Sequence, residues 1–308
     1  MKHRIGFALD LPAEGRRHIA AACPSDLEIE FLDPDFKTPE RLGALEALVV
    51  GTQPVPEALL DAAPRLRLIQ RWGTGRDNID VVAVERRGVA TAELPGANTR
   101  SVSEFLLLAI LSALRHLPDI AVAWSRGTWL TARPGLPHRR LTGKTIGLLG
   151  FGAIGRDLTN LLAPFDVRVT FHDLRRPDGV SDAIRGPLSI DDVMASADIV
   201  CVSLPSNART RGAVDAAQIA RMKRGAVLVS IARADVVDER AARDAVRDGR
   251  LAAASFDNFT VEPLPEAAIA HQPGVLATPH IGGASIEGFE ALTAACFASI
   301  AAKLTNLT

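Results

Sequence analysis

Short apolar runs recur along this chain with polar, helix-forming stretches between them. Residues 4–9, 27–32, 47–50, 67–70 and 88–91 read as strands. The intervening segments 12–22 and 56–63 are rich in Ala, Leu, Glu and Arg. Each opens on a proline, which suits a first helical turn because the N–H it lacks would have no helical acceptor there. A second series follows Lys144, with strands at 145–149, 167–172, 199–204, 226–231, 251–256 and 275–278 and helices at 154–164, 216–222 and 239–248. Strand and helix alternating in this way predict parallel sheets with helices on both faces. Two such series predict an α/β chain of two doubly wound domains, with the Ala-rich helical stretch 285–304 free to return to the first. Between the series, Ser101-Val-Ser-Glu104 has the form of a capping box. Residues 105–114 are apolar nearly all round, which predicts a buried helix, packed between domains or subunits. Residues 127–137, with Gly, Pro and Arg, read as a connecting loop.

Composition narrows the function classes. A chain of 308 residues is too long for one ordinary core. Its formal net charge of -1 provides no field to gather nucleic acid or an anionic membrane. The longest apolar run, 105–111, falls well short of the roughly 20 residues that span a bilayer. The N-terminal apolar stretch is too short for a signal peptide, since Asp10 follows at once. Cys23, Cys201 and Cys296 are few, distant and odd in number, so neither a disulfide framework nor a CxxC site is expected, and a reducing cytoplasm is. No cluster has metal-ligand spacing.

The first chemical motif is Gly150-Phe-Gly152-Ala153-Ile154-Gly155, a G-x-G-x-x-G between a strand and a helix. Asp173 follows after a second strand. That order is the dinucleotide-binding fingerprint. Gly150 allows the tight turn, Gly152 admits a pyrophosphate close to the backbone, and Gly155 lets helix and strand pack. The helix start offers free N–H groups and partial positive charge to the phosphates. An acid at Asp173 would accept from ribose hydroxyls and repel a 2'-phosphate, favouring NAD over NADP, although Arg175 and Arg176 stand nearby. Without a nucleotide the same pattern is a glycine-rich turn.

Three further groups follow strand ends, where ligands of open parallel sheets bind. Arg233 offers a fork that matches a carboxylate. Glu262 lies in Asp257-Asn-Phe-Thr-Val-Glu262-Pro263. His280 lies in Thr278-Pro-His280-Ile-Gly282-Gly283 and is able to exchange a hydroxyl proton. Taken singly, Arg233 also reads as a surface salt bridge and His280 as a packed loop histidine. Spacing alone does not show that Glu262 and His280 meet.

Several ordered motifs resemble the D-isomer-specific 2-hydroxyacid dehydrogenase family, the group of phosphoglycerate, glyoxylate/hydroxypyruvate and D-lactate dehydrogenases. They are Gly73-Thr-Gly75-Arg-Asp-Asn-Ile-Asp80, Asn98-Thr-Arg-Ser-Val-Ser-Glu104, the glycine motif, Met222-Lys-Arg-Gly-Ala, Arg233-Ala-Asp-Val-Val-Asp-Glu239, residues 257–263 and Thr278-Pro-His280. Together they cover nearly the whole chain. The resemblance implies a Rossmann NAD-binding domain at 98–284. It implies a discontinuous flavodoxin-like substrate domain at 1–97 plus 285–308. It also implies a homodimer formed through the nucleotide domains.

By the same resemblance His280 is the acid/base paired with Glu262, and Arg233 binds the substrate carboxylate. The loop Trp72, Gly73, Thr74, Gly75 offers N–H groups to that carboxylate. Asp257 faces the nicotinamide carboxamide, with Pro205, Ala232 and Gly282 along the cofactor cleft. The partner expected is a small 2-hydroxy or 2-keto acid, without nucleic acid, membrane or metal. Ala234, Ser230 and Ser203 stand where the family more often has Gly, Asn and His, and all three lie along the cofactor cleft. Gly51-Thr52-Gln53 lacks the arginine usual in phosphoglycerate dehydrogenases, which ranks glyoxylate or hydroxypyruvate above 3-phosphoglycerate. A chain ending at Thr308 would carry no regulatory amino-acid-binding domain. A phosphoglycerate dehydrogenase without that domain, a non-catalytic NAD-sensing dimer of the corepressor kind and a methyltransferase using S-adenosylmethionine remain the competing readings.

Overall fold

The computed structural model describes residues 2–130, 138–265 and 271–306. The chain divides into two compact units, Met1–Asn98 with Ser285–Thr308, and Thr99–Ala284.

The first unit is built on β1 (His3–Ala8), β2 (Leu27–Phe31), β3 (Ala47–Val50), β4 (Leu68–Arg71) and β5 (Ala90–Ala92). All pairings are parallel, in the order β2-β1-β3-β4-β5. This is the flavodoxin-like order. Strands β3 and β4 are buried at every position. Helices cover both faces, which is why β3 reads as a continuous apolar run rather than an alternating one, while β4 ends on the buried polar pair Gln70 and Arg71. Helices α1 (Ala13–Ala21), α2 (Ala58–Ala62) and α3 (Val81–Arg86) belong to this unit. The final helix, Ile286–Asn306, returns to it and puts Cys296, Phe297, Ile300 and Leu304 into one core with Ile5, Phe7 and Val49. Fully buried Gln70 is satisfied on that helix, accepting from Ser299 Oγ at 2.7 Å.

The second unit carries β6 (Thr145–Leu149), β7 (Arg168–His172), β8 (Ile199–Val202), β9 (Ala226–Ser230), β10 (Leu251–Phe256) and β11 (Val275–Ala277). The order is β11-β10-β9-β8-β6-β7, again all parallel. A single parallel bridge between Thr170 and Arg185 extends the sheet beyond β7. It occupies the place of the third strand in the 3-2-1-4-5-6 dinucleotide-binding order. That one-residue strand leaves no periodic signal and was not expected from the sequence.

The long helix α4 runs Thr99–Arg115, so Ser101 sits inside its first turn rather than capping it. Burial of 105–114 is one-sided. Val102, Leu106, Ala109, Ile110 and Ala113 face the core, while Leu108 is 55% exposed. Helix α5 (Leu117–Ser125) follows after His116 at φ 52. No single helix among the described residues is long and apolar enough to cross a membrane; α4 and α5 pass that test only as a pair bent by 68°. Residues 131–137 of the expected connecting loop lie outside the described residues. The remaining helices are α6 (Ala153–Leu162), α7 (Ile190–Ser196), α8 (Ala216–Arg221) and α9 (Glu239–Arg247).

Candidate active site

Within the second unit, the expected site residues gather beyond the carboxyl ends of one parallel sheet. Gly150 follows β6, Asp173 follows β7, Pro205 follows β8, Ala232 and Arg233 follow β9, Asp257 to Glu262 follow β10, and His280 follows β11. The register sets Ser230, Phe256 and Ala277 level, so the loops after β9, β10 and β11 leave side by side.

The glycine turn lies where the strand order reverses, beside β6 and β8. Gly150 has φ +97, and a Cβ there would meet Ser203 backbone atoms at 3.1 Å. A Cβ on Gly155 would stand 2.6 Å from the Gly150 carbonyl oxygen. These two glycines serve packing. A Cβ on Gly152 would meet nothing within 4 Å, so packing does not require this glycine and the space beside it is open. Gly152 is the N-cap of α6, and neither a capping side chain nor an acid occupies its first turn. By contrast α3, α7, α8 and α9 are capped by Asp80, Ser189, Asp215 and Asp238. The free N–H groups at Ala153 and Ile154 therefore fit the donor set a pyrophosphate needs.

The acid after β7 has a structural task that the sequence did not show. Asp173 Oδ2 accepts from the Phe151 N–H at 2.7 Å and Oδ1 from the Leu174 N–H at 2.6 Å, so it ties the glycine turn to β7. Phe151 stacks on Phe171 with ring centroids 4.1 Å apart. Arg176 donates to the carbonyls of Ile184, Gly186, Val180 and Ser181 and is consumed in folding its own loop. Arg175 stays exposed.

His280 Nδ1 lies 2.7 Å from Glu262 Oε2. Glu262 Oε1 also accepts from the Phe259 N–H at 2.9 Å. Partial burial pushes the Glu262 carboxyl up. The bonds from His280 and Phe259 and the positive charges of His280 and Arg233 outweigh it, and hold the carboxyl below its ordinary value. The structure thus brings Arg233, Glu262 and His280 into one electrostatic group.

His280 has φ 54, an uncommon conformation for a residue with a Cβ. Asp257 explains how it is held. This buried carboxylate accepts from Thr278 Oγ1 at 2.7 Å, Ile281 N–H at 2.8 Å and Gly282 N–H at 2.7 Å, gripping the chain on both sides of the histidine. Three of its acceptor positions are spent on the loop, a scaffold task in addition to the nicotinamide contact that the resemblance implies. Ser230 Oγ accepts from the Ala232 N–H at 3.3 Å and shapes the turn that presents Arg233. Ser203 Oγ donates to the carbonyls of Leu149 and Gly150. Asn258, beside Asp257, places its amide nitrogen 3.2 and 3.0 Å from the two His280 ring nitrogens. No pattern in the sequence singled Asn258 out.

The loop from Trp72 to Gly75 belongs to the first unit. Gly73 and Gly75 have φ 112 and 93. The Trp72 ring packs on Phe7 and Phe289, at centroid distances of 6.3 and 5.5 Å, so the tryptophan is chiefly a core residue. The Trp72 backbone N–H donates to the Val50 carbonyl, and Thr74 is exposed. After β3, Gly51-Thr52-Gln53 is neutral. Asn78 donates to the Gly51 and Gln53 carbonyls, and Gln53 donates to the Ala8 carbonyl. Among the described residues no group of three or more His, Cys, Asp or Glu is arranged to hold a metal ion.

Residues 107–282 match the family described as D-isomer specific 2-hydroxyacid dehydrogenase, NAD binding domain. The chain is 33% identical over 271 residues to D-3-phosphoglycerate dehydrogenase of Mycobacterium bovis, covering 87% of this chain and 51% of that protein. It thus spans about half the length of that relative. It is 34% identical over 279 residues to glyoxylate/hydroxypyruvate reductase B of Yersinia enterocolitica, covering 87% of this chain and 84% of the relative. Its fold is similar to that of an NADPH-dependent glyoxylate/hydroxypyruvate reductase from Sinorhizobium meliloti solved with NADP and malonate. The TM-score is 0.85 at 25% identity, over 99% of this chain and 94% of the other. With the family match spanning more than half its length, the chain belongs to the D-isomer specific 2-hydroxyacid dehydrogenase family.

Proposed function

We propose that this chain is an NAD-dependent oxidoreductase that interconverts a small D-2-hydroxy acid and its 2-keto acid, with glyoxylate or hydroxypyruvate as substrate. The observation that carries the reading is the 2.7 Å contact between His280 and Glu262, with the Arg233 charge acting on the same carboxylate. In reduction the protonated imidazole gives the proton on Nε2 to the carbonyl oxygen, while Glu262 stabilises the ring's positive charge through Nδ1. In oxidation the neutral ring takes that proton back. Arg233 holds the substrate carboxylate and stabilises charge developing on the C2 oxygen. Gly152 and the N–H groups of Ala153 and Ile154 would hold the coenzyme, whose nicotinamide would supply or accept the hydride.

The residues at the glycine turn favour NAD over NADP. The Asp173 carboxylate would repel a 2'-phosphate, and Arg176 has its donors committed to loop carbonyls. The neutral segment Gly51-Thr52-Gln53 supports an acid without a phosphate. We also infer a homodimer in the cytoplasm. Leu108, Leu117, Trp124 and Trp129 of the second unit are 55%, 51%, 66% and 74% exposed, an apolar surface suited to a second copy. The cysteines are free thiols, and burial pushes that of Cys201 up to about 12.

The test is consumption of NADH with a panel of 2-keto acids, beside His280→Ala and Arg233→Ala. Turnover of glyoxylate or hydroxypyruvate, reduced at least about 100-fold in each variant, is the expected result. NADH binding without turnover of any member would overturn the reading and favour a sensor.

A further inference from the structure

We propose that Asn258 is a positioning residue for His280: its side-chain amide lies over the face of the imidazole, fixes the ring plane, and counteracts the positive charge that Glu262 favours on the ring. The proposal rests on the acid/base role given to His280 above.

The geometry supports a face contact. The Asn258 amide nitrogen is nearly equidistant from the two ring nitrogens, at 3.2 and 3.0 Å. In the plane of the ring, equal distances of that length would drive the amide into the carbon between the nitrogens. Above the plane they are accommodated, and the N–H points into the π cloud. Asn258 is only 8% exposed, so water competes poorly for that donor. The ring is then held by three different means. The backbone after β11 is fixed by Asp257, Nδ1 is bonded to Glu262, and the ring face rests on Asn258. Rotation about the bond to the ring, which the Glu262 contact alone would leave loose, is blocked. Nε2 is thereby kept on a line of its own for a substrate oxygen.

The electrostatic consequence has a definite sign. The charged groups that the structure ties to the ring and its loop are Glu262, 2.7 Å from Nδ1, Arg233, whose charge acts on Glu262, and Asp257, which grips the backbone beside it. Glu262 sets a carboxylate 2.7 Å from Nδ1. An N–H dipole aimed at the ring face disfavours the imidazolium, because its positive end meets the positive ring. An acid/base that must both give and take a proton works best when neither form dominates. Asn258 opposes Glu262 in that balance.

The first measurement needs no substitution. In the NMR spectrum of the intact protein, the Asn258 side-chain amide protons should lie upfield through the ring current, and should move as His280 is protonated. Amide protons at ordinary positions that ignore pH would overturn the proposal. The second compares Asn258→Ala and Asn258→Asp, using hydroxypyruvate and NADH as probes. Asn258→Ala should lower kcat about tenfold with less than about threefold change in KM. It should also move the alkaline limb of the reductive pH profile upward by about half a unit. Asn258→Asp should move that limb further, by about one unit. NADH affinity should stay the same in both. A limb that stays put or moves downward would overturn the proposal. Wild-type protein that turns over no keto acid would instead sink the dehydrogenase reading, while the NMR result would still decide the Asn258 contact.

Discussion

Both units are parallel sheets in which the strand order reverses beside the opening strand, β1 in one and β6 in the other. Their first βα turns differ. After β6 the chain passes through Gly150 and Gly152 into a helix whose start has neither cap nor acid. After β1 it passes through Leu9-Asp10-Leu11-Pro12, and α1 carries Glu14 in its first turn. At the β1 end, Gln53 closes on the Ala8 carbonyl and Asn78 on the carbonyls of Gly51 and Gln53. At the β6 end, the space beside Gly152 is open. A switch point supplies a crevice in both units. Only the turn chemistry makes one of them suited to a dinucleotide, since an acid near a helix start already satisfies the dipole that a phosphate would otherwise answer.

Substitutions on either side test the contrast, and the largest effect is expected at the second unit's strand ends, where the proton transfer is proposed. Glu262→Gln should lower reductive turnover at alkaline pH by at least about 100-fold, because the imidazolium loses its negative partner and the alkaline limb moves to lower pH. Stability should report the same pair. The Glu262 carboxyl is held low in the folded protein, so its contribution is present above the unfolded value and disappears as pH falls through the folded one. Acid melts of Glu262→Gln should therefore show a shallower loss than wild type.

Next comes the turn itself. Gly152→Ala should weaken NADH binding about 30-fold, about 2 kcal/mol, in a calorimetric titration, with an unchanged melting temperature. The added Cβ meets only open space in the folded chain, so any cost falls on the ligand. A smaller effect is expected at Asp173. Asp173→Ala should weaken NADH binding about tenfold and narrow the gap to NADPH, since it loses both the ribose acceptor and the tie to the Phe151 N–H. The smallest belongs to the closed crevice of the first unit. Gln53→Ala should cost about 1 kcal/mol of stability by releasing the Ala8 carbonyl, and leave NADH affinity untouched. A coenzyme effect there would break the contrast between the two turns.

Much of this was legible in the sequence because it is carried by local pattern. Buried strands such as 47–50 and 199–202 announce themselves as unbroken apolar runs. The glycine motif and Asp173 announce themselves by spacing. What stayed hidden is carried by long-range or single-residue contacts. The Arg185 bridge is one residue long, and a one-residue strand has no period. Asp257 grips a loop more than twenty residues away in the chain, and Asn258 meets a ring across the same gap. The capping box misplaced the start of α4 because its Ser-x-x-Glu spacing recurs inside a helix that begins two residues earlier. Trp72 is ambiguous by type, and its ring contacts assign it mainly to the core.

The central claim is that an imidazole tied to Glu262 exchanges a proton with the C2 oxygen of a small keto acid. The most direct measurement is chiral analysis of the product formed from hydroxypyruvate and NADH, by wild type and by His280→Ala. A single D-2-hydroxy acid is expected from the wild type and almost none from the variant. An L or racemic product, or equal yields from the two proteins, would contradict it.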